Sequence, residues 1–306
     1  MSDSHFELDR RGFMQCLAWA GTGLVWAARG GVLASTTLAE AAGSADFTFA
    51  QISDTHVGFA GEANRNAAGT LADSINALNA LTTPPAFVLH TGDLTHGQKA
   101  GAFDTLGEAL KAVRTERIFY VPGEHDVFVD GGKEYLARYG RGTVGSGWQS
   151  FDYRGVHFVG LVNVLTYKPG VGGALGAEQL DWLRKDLDAQ KASTPVVVFT
   201  HVPLWAVYPA WGWTTADGEE AIGMLRRFGS ATVLNGHIHQ VLQKVEGQVT
   251  FHSARSTAFP QPAPGAAPAP GPMKVEADEL RRVLGVREVR YTEGAAALAV
   301  VERSLA

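Results

Sequence analysis

Five short clusters of acidic and histidine residues constrain this chain more than any other feature, because each follows an apolar, β-branched or aromatic run. They are Asp54-Thr55-His56, Gly92-Asp93, Gly123-Glu124-His125-Asp126, Thr200-His201-Val202-Pro203 and Asn235-Gly236-His237-Ile238-His239. The runs ahead of them, residues 47–52, 87–90, 118–121, 196–199 and 232–234, read as strands, with another at 156–162. Several are continuously apolar, as strands buried on both faces are. Periodic patterns at 66–81, 102–113, 178–188 and 219–228 predict helices between them, and Thr82-Thr83-Pro84-Pro85 stops the first. Strand and helix alternating in this way is the signature of stacked βαβ units, an α/β fold. In such a sheet ligands gather beyond the carboxyl ends of the strands, so the five clusters are expected to converge.

One Asp at a strand end is commonly a helix cap, and one histidine is commonly a packed or surface residue. Five clusters in this order point instead to a metal site. Divalent cations take carboxylate oxygens and neutral imidazole nitrogens, and a two-metal site needs one short carboxylate able to bridge. On extended backbone the side chains i and i+2 share a face, so Asp54 with His56, and His237 with His239, can each reach one ion. Gly92 and Gly236 allow sharp turns and close approach. A Gly-x-Ser-x-Gly elbow, a Walker lysine motif, a Gly-rich dinucleotide fingerprint and the His-x-His-x-Asp-His element of β-lactamase-like metal folds are all absent from the sequence.

The formal net charge is −5 over 306 residues and no dense Lys/Arg block occurs. That argues against a nucleic-acid polymer or an anionic membrane surface as the main partner. An anionic small molecule then needs a local source of positive charge, and bound metal supplies it.

Residues 1–41 read as a targeting segment: Arg10-Arg11-Gly12-Phe13-Met14 precedes a Gly/Ala-rich apolar stretch ending near Ala39-Glu40-Ala41. This is the pattern of a twin-arginine export signal. It reads as cleavable rather than as a stable membrane anchor, since Gly21, Gly23, Arg29, Gly30 and Gly31 interrupt the apolar stretch. The expected partner is the twin-arginine export machinery, and the expected location is periplasmic or secreted. Cys16, the only cysteine, lies in this segment, so no thiolate ligand is expected beyond it. Residues 46–258 form the expected main domain, with a hairpin at 240–245 and 248–253. Residues 259–272, rich in Pro, Ala and Gly, read as a stiff linker unable to pack a core. The tail, 273–306, is too short to fold alone and is expected to dock on the main sheet through a short helix at 277–284 and strands near 286–291 and 297–301.

In order and spacing the clusters resemble the calcineurin-like metallophosphoesterase superfamily, whose pattern is D-x-H, GD, GNH(D/E), H and GHxH. The resemblance spans roughly residues 47–253. It implies a four-layer α/β sandwich, with two central, mostly mixed β-sheets flanked by helices. It also implies a dinuclear hydrolase of small phosphoesters, mono- or diester and cyclic nucleotides included, in which a metal-bridging hydroxide is the nucleophile. Carried over position by position, it puts Asp54, His56, Asp93 and His239 on one ion and Glu124, His201 and His237 on the second, with Asp93 bridging. The ions implied are Fe, Mn or Zn. His125 resembles the family's histidine beside the phosphate, and Asp126 is expected to orient it through its ring N–H.

One position departs from the pattern: Glu124 stands where the family usually has asparagine. With the added carboxylate and the bridging hydroxide, a centre with two divalent ions is neutral, which predicts a mixed Fe(III)/divalent pair or a weakened second site. It also leaves open a degenerate, non-catalytic metal-binding interaction protein on the same fold. Purple acid phosphatases place a tyrosine three residues after the bridging aspartate, where this chain has His96, either an extra ligand or an ordinary loop histidine. Around the site, residues 204–213 carry Trp205, Tyr208, Trp211 and Trp213, either an aromatic rim for a nucleobase or apolar leaving group or plain lid packing. Asn64, Arg65 and Asn66 read as phosphate contacts or as a helix start.

Overall fold

The computed structural model describes residues 46–295 and 297–306, together with the backbone of two strands, β1 (Leu24–Arg29) and β2 (Val32–Thr37). These two pair antiparallel and belong to a separate unit, Met1–Asp46. The Arg10-Arg11 motif lies outside the described residues. Among the described residues no helix is long and apolar enough to cross a membrane.

The main unit, Phe47–Ala306, is built on two sheets. The first has the order β13 (Ala299–Ser304), β12 (Gly285–Tyr291), β3 (Phe47–Ile52), β4 (Val88–Thr91), β5 (Ile118–Val121). In it β3, β4 and β5 are parallel, and β12 and β13 are added antiparallel. The second has the order β10 (Leu242–Glu246), β11 (Val249–Ser253), β9 (Ala231–Asn235), β8 (Val196–Thr200), β7 (Val156–Gly160), β6 (Gln149–Tyr153). Its four middle strands are parallel and its two edges antiparallel.

Alternation along each strand explains the layering. In β3, Phe47 and Phe49 point one way while Ala50 and Ile52 point the other. Phe49 meets Phe158 of β7 edge-on at 5.3 Å, and Phe87 lies 5.1 Å from the same ring, so an aromatic layer joins the sheets. Ala50 and Ile52 instead pack with Leu71, Ile75 and Leu78 of α1 (Ala67–Asn79), Phe103 and Leu106 of α2 (Ala102–Leu110) and Tyr135 of α3 (Lys133–Tyr139). On the opposite side Val196, Val198 and Val233 pack against Leu180, Leu183 and Leu187 of α4 (Ala177–Asp188) and Ile222 and Leu225 of α5 (Gly218–Leu225). The result is the expected α/β arrangement of two mixed sheets with flanking helices. Besides β1 and β2, two labelled elements have no counterpart in the sequence reading. β6 is a half-buried edge strand with weak patterning, and α3 is only 7 residues long.

The tail supplies α6 (Leu280–Val283), β12 and β13, and β12 lies directly beside β3. Arg287 of β12 is buried between the sheets. Its guanidinium donates to Gln51 Oε1 (2.8 Å) and to the carbonyls of His252 (3.3 Å) and Ser253 (2.6 Å) on β11, and it pairs with Glu302 of β13. A buried charge persists only when satisfied this fully.

Residues 259–272 are not the unpacked spacer expected from their composition. Phe259 is buried with Ala63, Ala67 and Ala258, and Ala267 packs on Trp211, Trp213 and Ile238. The Met273 N–H donates to Pro260 O at 2.8 Å and closes the segment into a loop. The segment is anchored at its start, where Phe259 and Pro260 are buried, and at Ala267, while residues 263–266, 268, 269 and 272 are exposed.

Candidate metal centre

All five clusters leave the carboxyl ends of parallel strands: β3, β4 and β5 of one sheet and β8 and β9 of the other. Hydrogen bonds within and between the sheets tie them together. Gln51 Nε2 donates to Thr91 Oγ1 (2.9 Å) on the neighbouring strand and across the sheets to Asn235 O (3.3 Å), and the His237 N–H donates across to Asp54 Oδ1 (3.1 Å).

Two donor sets result. Asp54, His56 and His239 form one, with His239 Nε2 3.2 Å from Asp54 Oδ1 and 3.3 Å from His56 Nε2. Glu124, His201 and His237 form the other, with His201 Nε2 2.9 Å from Glu124 Oε2 and His237 Nδ1 3.1 Å from Glu124 Oε1. Asp93 Oδ2 stands between them, 3.4 Å from His56 Nε2 and 3.5 Å from His201 Nε2. Ligand bonds of about 2.1 Å put neighbouring donors on one cation about 3 Å apart, so these spacings fit an ion in each set and a shared Asp93. Glu124 Oε2 and His201 Nε2 are buried and, apart from each other, have no hydrogen-bond partner, as two lone pairs facing one cation would.

The ring nitrogens pointing away from each set are also used. His201 Nδ1 lies 2.7 Å from Thr91 O and His239 Nδ1 lies 2.6 Å from Phe259 O, which fixes each Nε2 as the ligand atom. His237 presents Nδ1 inward and Nε2 to the Tyr167 hydroxyl at 3.3 Å. Electrostatics favour the ligand form at His56 and Glu124 and the protonated ring at His201. Burial, reinforced by His239, His125 and His96, holds His56 well below its ordinary value and therefore neutral. Burial opposes ionisation of Glu124, but His237 and His201 outweigh it and hold the carboxyl well below the usual range. Burial likewise opposes a charged His201, and Asp93 and Glu124 outweigh it; a cation held among these groups would take the proton's place.

The backbone here departs from the extended form expected for the Asp-x-His and His-x-His pairs. Asp54, His56, Asp93, His237 and His239 all have positive φ, between 39° and 68°. Left-handed backbone at non-glycine residues is strained and is tolerated only where the surroundings over-determine it. Gly92, with φ of 93°, and Gly123 make room: a Cβ on Gly123 would stand 2.0 Å from Asp93 Oδ1.

Asp126 does not orient His125. Its carboxylate accepts from the backbone N–H groups of Leu94 (2.9 Å), Thr95 (2.8 Å) and Gly123 (2.9 Å), bracing the Asp93 loop against the Glu124 turn. Burial and the neighbouring Asp93 push its pKa up to about 7 against those bonds. His125 is half-buried at the cleft, its backbone N–H on Asp93 Oδ1 at 3.0 Å and its ring stacked on His96 at 4.6 Å. His96 in turn places Nδ1 3.1 Å from His56 Nδ1, the nitrogen facing away from the donor set, so it supports a ligand-type histidine from behind.

The sets open into a cleft of about 400 Å³ walled by Phe128, Tyr167, Pro169, Trp213, Phe259, Gln261, Pro270 and Pro272. Of the four aromatic residues expected as a rim, only Trp213 lines it. Trp211 and Tyr208 back Trp213, and Trp205 packs beside Phe251, 6.1 Å between rings. Asn64 is turned away, its amide on Ala258 O (2.7 Å) and Thr70 Oγ1 (3.0 Å), while Asn66 caps α1 through Gly69 N and Arg65 is exposed elsewhere. Sequence reasoning missed Tyr167, Phe128, Phe259 and Gln261. The last donates to His237 O at 2.9 Å, and none of the four stands in a motif.

Residues 47–241 match the family model for calcineurin-like phosphoesterases. No curated protein matches the sequence significantly. Among solved structures the fold is similar to a dimetal phosphatase from Danio rerio (17% identity, TM-score 0.63, covering 85% of this chain and 96% of that one). It is also similar to purple acid phosphatase PPD1 from yellow lupin, Lupinus luteus (12%, 0.61, 86% and 52%), and to GAP50, the anchor in the inner membrane complex of Plasmodium (12%, 0.54, 85% and 85%). At these identities the likeness is one of fold. The family match spans most of the chain and runs through all five clusters, so the chain belongs to the calcineurin-like phosphoesterase family.

Proposed function

We propose that this protein hydrolyses small-molecule phosphoesters at a pair of metal ions held by Asp54, His56, Asp93 and His239 on one side and Asp93, Glu124, His201 and His237 on the other. The observation that carries this reading is Asp93 Oδ2, equidistant within 0.1 Å from a histidine of each set. Bound there, two cations lower the pKa of water and neutralise charge developing on the phosphoryl oxygens. Asp93 fixes the spacing between the sets. His125, half-buried at the cleft, is placed to hydrogen-bond a phosphoryl or leaving oxygen. The walls of Tyr167, Trp213 and Phe259 keep bulk water from the reacting group.

Glu124 adds a third carboxylate to Asp54 and Asp93, which supports a trivalent and divalent pair such as Fe(III) with a divalent partner. The Arg10-Arg11 motif supports export through the twin-arginine route, with substrates met outside the cytoplasm. Metal analysis and a phosphoester panel on natively loaded protein test the assignment. Asp93→Ala is expected to lower metal content and to reduce turnover at least about a hundredfold. Glu124→Asn is expected to shift metal identity or stoichiometry, and an unchanged metal profile would rule out the mixed pair. A fully loaded protein inactive on every phosphoester would instead favour a binding role on this fold.

A further inference from the structure

We propose that the substrate is a phosphodiester with a single negative charge, one of whose ester groups is a bulky aryl or alkyl group; this rests on the phosphoesterase reading above. Charge provides the first support. Among the described residues lining the cleft there is no lysine or arginine; apart from the donor residues its polar side chains are His96, His125, Tyr167, Gln261 and the indole of Trp213. Asp54, Asp93 and Glu124 meanwhile cancel all but one or two of the positive charges that a metal pair brings. A phosphomonoester carries a second negative charge near neutral pH, and in a partly enclosed cleft that charge needs a guanidinium or ammonium to match it. A diester carries only one and needs no such partner.

Shape and polarity provide the second. About 400 Å³ is far more than a phosphoryl group fills, and the walls beyond the donors are Tyr167, Trp213, Phe259 and prolines. The apolar surface continues outward. Phe128 is 52% exposed, its ring 5.9 Å from His125 and 6.4 Å from Tyr167. Val129 beside it is 70% exposed, and Leu165 and Val171, flanking Tyr167 and Pro169, are 43% and 64% exposed. Phe128 lines the cleft, and its exposed ring, with exposed apolar residues near other lining residues in sequence, has the character of a ligand-contact surface. An ester group leaving the phosphorus past His125 would run onto Phe128.

The test uses metal-loaded, full-chain protein and three non-hydrolysable probes sharing one phenyl group: phenylphosphonate, methyl(phenyl)phosphinate and octyl(phenyl)phosphinate, the last two with carbon where a diester has its ester oxygens. Binding is read by calorimetry near pH 8, where the first is a dianion and the phosphinates are monoanions. The octyl phosphinate is expected to bind at least about tenfold tighter than phenylphosphonate. Equal or tighter binding of the dianion would overturn the proposal. Phe128→Ser and, separately, Val171→Ser are expected to weaken the octyl phosphinate more than the methyl phosphinate. An unchanged ratio in both variants, with metal content and circular dichroism intact, would overturn the apolar part. Binding of the octyl phosphinate free in solution, compared with phosphatidylcholine vesicles carrying it, separates a soluble ester from a membrane lipid. Turnover keeps the two readings apart. Preference for p-nitrophenyl phosphate over bis(p-nitrophenyl) phosphate counts against this inference alone, whereas no turnover of either at full metal occupancy counts against the hydrolase reading itself.

Discussion

Individual residues here do work that their neighbours in sequence do not disclose. His157 on β7 is buried, yet its two nitrogens lie 2.7 Å from Asp152 and 2.8 Å from Asp186. Burial disfavours its charge, but the hydrogen bonds it donates to Asp186 and Asp152 outweigh that and raise its pKa above the ordinary 6.5. The stabilisation from this pairing is therefore complete below the ordinary value and is lost as pH climbs through the raised one. His157→Gln is expected to cost more stability near about pH 5.5 than near about pH 9, measured as the change in urea midpoint relative to the parent protein. A loss independent of pH would mean that the residue contributes packing alone.

Between residue and fold lie the turns that carry the donors. The loop after β4 and the turn after β5 are tied by one carboxylate, that of Asp126, which receives three backbone N–H groups. Asp126→Asn replaces one acceptor oxygen with an NH₂ facing a donor, and an unsatisfied buried donor costs about 1–3 kcal/mol. The expected outcome is a destabilisation of that order together with weaker metal retention, because Asp93 and Glu124 sit on the two elements it joins. Dialysis against a chelator at fixed intervals would reveal the second effect. Unaltered metal retention would show that the two loops are held by other contacts.

At the scale of the whole molecule, the tail and the main sheet are one structure. β12 extends the first sheet beside β3, and Arg287 reaches across to the carbonyls of His252 and Ser253 on β11, the neighbour of the strand that leads into the metal centre. Removing one partner of such a buried arrangement costs about 3–5 kcal/mol. Arg287→Ala is expected to lose that much in denaturant unfolding, followed by far-UV circular dichroism, while Glu302, itself partly exposed, is expected to matter less when replaced by Gln. Equal and small losses for both would place the coupling between the sheets in the aromatic layer around Phe49, Phe87 and Phe158 instead.

What was legible in the sequence is what local chemistry dictates. Hydrophobic runs identified β3, β4, β5, β8 and β9 because buried parallel strands must be apolar, and the donor residues stood out because only a few side chains bind cations. Glu124 was visible as an added charge for the same reason. The tertiary structure alone decided the rest. Left-handed backbone at five donor-set residues, the role of Asp126 as a brace rather than a partner of His125, and the apolar cleft wall all depend on contacts between distant segments. The Pro-rich segment shows this most plainly: its composition says that it is stiff, but whether its apolar surface meets water or the metal centre depends on what lies within reach once both sheets have closed.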